Sequence, residues 1–291
     1  MTTNWPYTPD SWADKSDFVD TIVAAHVNNL QDAVMAIEQE AYRTYRPDLT
    51  PASPSAYDDE FESGALDDKW TAINCSLGSV DLLDTSTNKD CYDPLTFRGL
   101  MALQPGRDLT EAGEEAEAAI LRQTVSLGTN CKIIVKLGAG HVVDAPGSSM
   151  VLTGLLLSGP SGFNDNDYIG VSLEPAFEGM QAYLIGYLNI GGGGPGPYSL
   201  IVPAPLACEY LMILKTGNDY SLWGGNYLGV WTPLVDEAIP CNIRFTNSNP
   251  MNQLSLYCYW ALSPTEVNVP NPIATFDFVR YFENNSPLIN A

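Results

Sequence analysis

Apolar residues recur at Val23, Val27, Leu30, Val34, Ile37 and Ala41, at spacings of three and four along residues 14–45. That is the period of one helix face, about three heptads long. Asp17 is placed to cap the start of this helix and Asp20 to complement its N-terminal dipole. A second stripe, Val19, Ile22, His26, Asn29, Ala33 and Ala36, widens the apolar side. Such a helix packs either on its own domain or on copies of itself. The spacer that follows, with Pro47, Pro51 and Pro54, favours the second, since Pro-rich chain holds flanking units apart. The expected organisation is therefore a helical oligomerisation segment at 1–46, a linker at 47–56 and a β domain at 57–291.

From Tyr57 the period changes to that of strands. Lys69–Ser76, Thr96–Leu103, Ala118–Ser126, Lys132–Leu137, Met150–Leu157 and Tyr168–Leu173 are short, rich in branched and aromatic residues, and bounded by Gly, Pro, Asn or Asp. Ala182–Asn189, Glu209–Leu214, Ile243–Asn247, Gln253–Trp260 and Ile273–Phe282 continue the series. Residues 109–119 have helical propensity broken by Gly113 and read as a loop or a single turn. Closely spaced strands without helices between them predict an antiparallel sandwich or jelly roll. Alternation in 253–260 and 275–282 predicts one buried and one wet face. The fold class expected is mainly β, an N-terminal helix followed by an antiparallel β-sandwich.

Four stretches of the β region resemble the concanavalin A-like lectin/glucanase jelly roll, whose laminin-G-like members open on an Asp-x-Phe…Leu-Asp…Trp pattern. They are Tyr57-Asp-Asp-Glu-Phe with Leu66-Asp-Asp-Lys-Trp70, Val151–Ser158, the hairpin Tyr210–Trp231, and Ala274–Arg280. The segment Asp17–Glu38 is similar to a helix found near the start of virion proteins of tailed phages. The two resemblances together imply a non-enzymatic, oligomeric decoration, head-fibre or tail-appendage protein, with a trimer favoured. Its partners would be sister chains, other virion proteins and a glycan of the host surface. The alternative is a receptor- or glycan-binding lectin module, and an endoglycanase is the less favoured third reading.

Composition narrows the partners. A net charge of −22 arises from 13 Lys and Arg against 35 Asp and Glu, with only 16 % of residues charged. Phosphate polyanions are repelled, so nucleic acid is not an expected partner. No apolar run reaches the roughly 18 residues of a membrane span, and the first residues lack the basic and apolar regions of a signal peptide. No signal peptide and a virion-type helix give the virion as the expected location. The six cysteines have no C-x-x-C spacing, and buried free thiols are the expectation.

Catalytic patterns are scarce. Sugar-cleaving members of the resembled fold carry carboxylates on alternate residues of a central strand, because such residues share one face. No apolar strand here carries that pattern: Asp58-x-Glu60-x-Glu62 precedes the first strand, and Glu115-x-Glu117 and Asp165-x-Asp167 lie in predicted loops. His141 with Asp144 lacks a nucleophile elbow, and Gly191–Pro197 lacks the Lys and following helix of a phosphate loop. Neither catalysis nor a cofactor is expected. Two binding readings stay open. Tyr220, Trp223, Asn226, Tyr227 and Trp231 offer rings and amides to a sugar, or else pack in the core. Asn164, Asp165 and Asp167 offer oxygen ligands to calcium, or else only shape a turn.

Overall fold

The computed structural model describes residues 49, 54–81, 83–85, 90–97, 99–106, 118–138, 150–160, 168–174, 182–189, 198–205, 207–226, 229–234, 243–244, 251–261 and 270–283. The chain divides between Thr50 and Pro51, and the β structure lies in the second unit. The predicted N-terminal helix, with Val23, Val27, Leu30, Val34, Ile37 and Ala41, lies outside the described residues, as does most of the 109–119 loop.

Sixteen strands, numbered along the chain, are found among the described residues, and they form two sheets. The seven-stranded sheet runs in the order β1 (Thr71–Ile73), β5 (Ala118–Thr124), β15 (Gln253–Ala261), β7 (Met150–Ser158), β8 (Tyr168–Glu174), β9 (Tyr183–Asn189) and β10 (Tyr198–Pro203). The nine-stranded sheet begins with β13 (Trp231–Pro233), β12 (Asp219–Asn226), β11 (Cys208–Thr216) and β6 (Asn130–Leu137). It continues through β16 (Ala274–Glu283), β4 (Met101–Gln104), β3 (Cys91–Asp93) and β2 (Ser76–Leu77), while β14 (Ile243–Arg244) pairs with β12. Every pairing is antiparallel except β2 with β3. The predicted antiparallel sandwich is thus present.

The core lies between the sheets. Leu121, Leu155, Leu157, Ile169, Val171, Leu254 and Leu256 of one sheet meet Met101, Leu103, Ile133, Val135, Leu211, Ile213, Phe276 and Val279 of the other. Each fully buried side chain of this size contributes on the order of 1.5–3 kcal/mol. The expected wet face of β15 is not found. Leu254, Ser255, Leu256, Tyr257 and Cys258 are all at most 1 % exposed, although successive side chains point to opposite faces. The far face of the seven-stranded sheet carries a second apolar cluster, made of Ala118, Ile120, Leu152, Leu156, Tyr168, Ile185 and Tyr257. Within it Tyr257 lies over Gly154, where a Cβ would come within 2.5 Å of the phenol oxygen, and its hydroxyl hydrogen-bonds Ser172.

The opening sequence motif and the closing strand are joined. Asp59 and Val279 form an antiparallel bridge with N–H to O distances of 2.9 and 2.8 Å. The Asp58 carboxylate accepts the Tyr281 amide at 2.7 Å and the Ser55 amide at 2.8 Å. The Asp59 carboxylate accepts Phe61 N–H at 2.9 Å and Trp70 Nε1–H at 2.7 Å, with Lys69 Nζ 3.3 Å away. Glu60 takes Arg280 through two bonds of 2.8 Å. Tyr57 packs edge-on to Tyr281 at 5.2 Å between centroids and receives Ser126 N–H on its hydroxyl at 2.9 Å. Burial raises the Asp58 carboxyl above the ordinary carboxylate range against the lowering pull of its two amide donors.

This seam defines two poles. Tyr57, the end of β5, the start of β6 and the end of β16 share one pole through the bonds of Gln123 and Ser126 to Tyr57 and the pairing of Glu283 with Cys131. The end of β8, the start of β9 and the end of β10 lie at the other. Pro54 and Glu283, the first and last described residues of the second unit, therefore belong to the Tyr57 pole.

Two predictions follow from these contacts. Asp59→Ala leaves the Phe61 and Trp70 donors without their acceptor and should cost about 2–4 kcal/mol in urea denaturation. Asp93 is buried, which raises its carboxyl, but the Thr96 hydroxyl and the amides of Leu95, Thr96 and Val80 outweigh that and hold it below the ordinary carboxylate range. Its stabilisation is complete above the unfolded pKa and is lost as pH falls through the folded one. Asp93→Asn should cost about 1–2 kcal/mol at neutral pH and less in acid, read from denaturation midpoints across a pH series.

Candidate functional site

Strand register decides which of the predicted site residues meet. In the β11–β12 hairpin Lys215 pairs with Tyr220, Met212 with Trp223 and Tyr210 with Gly225. Tyr220 points inward and belongs to the main core, where burial raises its phenol pKa. Trp223 and Trp231 lie on the opposite face of the same sheet. Trp223 is half-buried and donates its ring N–H to Ser221 Oγ at 2.9 Å. Trp231 packs on Tyr210 at 6.2 Å between centroids and over Gly225, where a Cβ would come within 2.7 Å of the indole. Asn226 is 5 % exposed and closes the β12–β13 turn, its Oδ1 accepting the Val230 amide at 3.1 Å. The aromatic group is therefore split between two faces, and its amide is engaged by backbone. Tyr227 lies outside the described residues, as do Asn164, Asp165, Asp167, His26, His141 and Cys241. Among the described residues no three His, Cys, Asp or Glu side chains are grouped as a metal ion requires.

The other carboxylate spacing has a structural use. Asp58 and Glu60 are held by Tyr281 and Arg280 in the seam, so they do not form a catalytic pair. Among the described residues Cys91, Cys131 and Cys258 are buried, as expected, whereas Cys75 and Cys208 are half-buried, and none of the five forms a disulfide. Burial pushes the Cys258 thiol up to about 12 and that of Cys131 to about 11, so they act as small apolar side chains and not as nucleophiles.

A site absent from the sequence reading lies on the far face of the seven-stranded sheet. Tyr168 of β8 belongs to the far-face cluster, so alternation puts Gly170, Ser172 and Glu174 on that face with it. Glu174 pairs with Tyr183 of β9, and Tyr183 with Pro203 of β10. Directly opposed residues of this kind have Cα atoms about 4.5–5.5 Å apart. The dry cluster ends here: Ile185 is 3 % exposed, whereas Tyr183 is 38 % and Ile201 61 % exposed. Glu174 is half-buried, no described residue hydrogen-bonds or ion-pairs its carboxyl, and burial raises its pKa above the ordinary carboxylate range. Among the described residues of this face it is the one acid. The signal that could have found it is the alternation Tyr168-x-Gly170-x-Ser172-x-Glu174, which the predicted strand, ending at Leu173, cut short.

No protein-family model and no curated protein sequence matches this chain. Solved structures do match. A bifunctional GH43-CE protein of Bacteroides eggerthii is 15 % identical with a TM-score of 0.52, covering 79 % of this chain and 26 % of that one. A xylan β-1,4-xylosidase from Bacillus halodurans C-125 is 15 % identical with a TM-score of 0.48, covering 80 % and 40 %. A β-1,3-1,4-glucanase (lichenase) derived from a mouse hindgut metagenome is 12 % identical with a TM-score of 0.43, covering 78 % and 98 %. The chain thus spans about two fifths of the length of the matched xylosidase. Identities this low show the fold alone, a concanavalin-like β-sandwich.

The expectation of a non-enzymatic virion component is withdrawn. The matched structure with a TM-score above 0.5 is of a bifunctional GH43-CE protein and not of a virion protein. No feature of the described residues marks a phage origin, a capsid or tail role, or a trimer.

The Trp231–Gly225 contact is testable by a double-mutant cycle. Gly225→Ala should cost about 1–3 kcal/mol by overpacking, and that cost should vanish in a Trp231→Ala background, as read from urea midpoints.

Proposed function

We propose that the chain is a glycan-active β-sandwich that meets sugar at the end of β8 and β9. The observation that carries this reading is Glu174, a desolvated carboxyl without a partner among the described residues, paired in register with the exposed Tyr183. An exposed tyrosine ring at a strand end can offer its face to the C–H side of a pyranose. A carboxyl that keeps its proton above the ordinary range can hydrogen-bond a sugar hydroxyl or hand the proton to a glycosidic oxygen. The fold held in common with xylosidase and glucanase structures supports glycans as the ligand class. Glycoside hydrolysis also takes a second carboxylate, about 5–9.5 Å from the first, to activate the attacking water or capture the sugar, and no described residue of this face supplies it. Glu174 is assigned the acid role and Tyr183 the stacking role.

Reducing-sugar release and binding, measured on xylan and on mixed-linkage β-glucan, test the assignment. At least one polysaccharide should bind and be cleaved. Glu174→Gln should lower turnover by about 10²–10⁴-fold with little change in binding, and Tyr183→Ala should weaken binding by about tenfold. Because only the protonated carboxyl donates, the rate should fall as pH rises through the raised pKa. Turnover unchanged in Glu174→Gln, or no binding of either polysaccharide, overturns the reading.

A further inference from the structure

The far-face end of β8, β9 and β10 has an electrostatic character that the rest of the chain reinforces. We infer that this site takes uncharged polysaccharides and rejects acidic ones, an inference that rests on the glycan reading above. An acidic sugar needs a cation, and the described basic side chains are all engaged elsewhere. Lys69 lies 3.3 Å from the Asp59 carboxylate, Arg280 is held by Glu60 at 2.8 Å, and Lys136 pairs with Asp277. Lys215 donates to the carbonyls of Gly128, Thr129 and Gly217 at 2.7–3.1 Å, at the Tyr57 pole. Lys132 is 1 % exposed with its ammonium 3.8 Å from the centre of the Phe282 ring. Arg122 shares the far face, but it is 9 % exposed and donates to Ser255 at 3.0 Å, near the Tyr57 pole.

What the site offers is a ring, two apolar side chains and a carboxyl. Tyr183, Ile201 and the exposed Pro203 sit on adjacent strands, which lie about 4.8 Å apart, and together they make an apolar strip. Glu174 borders that strip and bonds hydroxyls in either protonation state. A carboxylate or sulfate on the sugar would face Glu174 with no counter-charge among the described side chains, within the field of a chain of net charge −22. The discrimination is therefore repulsive, and salt should weaken it.

Hydroxyethylcellulose and carboxymethylcellulose share one backbone and differ in charge, and the full chain can be titrated with both by affinity electrophoresis or calorimetry. At about 20 mM salt the carboxymethylated polymer should bind at least about tenfold more weakly. The gap should narrow by about 0.5 M salt, while binding of the neutral polymer stays constant. Glu174→Lys should raise affinity for the carboxymethylated polymer by about tenfold, and Tyr183→Ala should weaken the neutral one. Equal or tighter binding of the carboxymethylated polymer, sensitive to Tyr183→Ala, overturns the charge inference and leaves the glycan reading standing. Binding of neither polymer, together with none of xylan or β-glucan, overturns both.

Discussion

β16 has two edges, and the sandwich depends on how the second is closed. β6 covers one edge from Phe276 to Glu283, whereas β4 reaches only from Ala274 to Phe276. Beyond Phe276 the free edge is taken by residues 58–60, through the Asp59–Val279 bridge and the Asp58 acceptor for Tyr281 N–H. Without them the backbone of a buried strand would lose its partners, at about 1–3 kcal/mol for each unpaired group. Carboxylates suit this position because one side chain can accept several donors. Asp59 takes the Phe61 amide and the Trp70 indole together, which also fixes Trp70 against Phe61 at 6.1 Å between centroids. The Asp-x-Phe…Leu-Asp…Trp pattern of the opening segment is thus the imprint of a structural seam and not of chemistry.

How far the sequence was legible follows from what each residue depends on. Strand periodicity is local, and β5, β6, β7, β8, β9, β15 and β16 lie where alternation and turn residues put them. β10 was not predicted: it lies just after a Gly- and Pro-rich run and ends on Pro203, a residue confined to edges and strand ends. The wet face expected for β15 depended on what lies beyond the sheet, which a period of two does not report. In the β11–β12 hairpin the rings were visible but their faces were not: Tyr220 and Trp223 lie three positions apart and so on opposite faces, and only pairing reveals which one turns inward. The heptad stripe of the N-terminal segment and the acidic 161–167 loop fall outside the described residues, so their readings stand as expectations.

Glu174 escaped for a different reason. The pattern expected of sugar-cleaving members of the fold is two carboxylates on one strand, and the strand of Glu174 holds one. A lone acid at a strand end reads as surface until register places it beside an exposed ring on β9 and a proline on β10. Its raised pKa comes from desolvation, which belongs to the folded surroundings and leaves no mark on local sequence.

Elsewhere in the sandwich several partly buried acids are given donors: Asp93 by three amides and a hydroxyl, Asp58 by two amides, Asp59 by an amide and an indole. Glu174 has none among the described residues. A carboxyl whose folded pKa is raised holds its proton more tightly when folded, so its contribution to stability falls as pH rises through that value. The fold therefore gives up stability at Glu174 under neutral conditions and recovers none of it through a contact with a described residue. Positions where a fold tolerates such a loss are disproportionately those that meet a ligand.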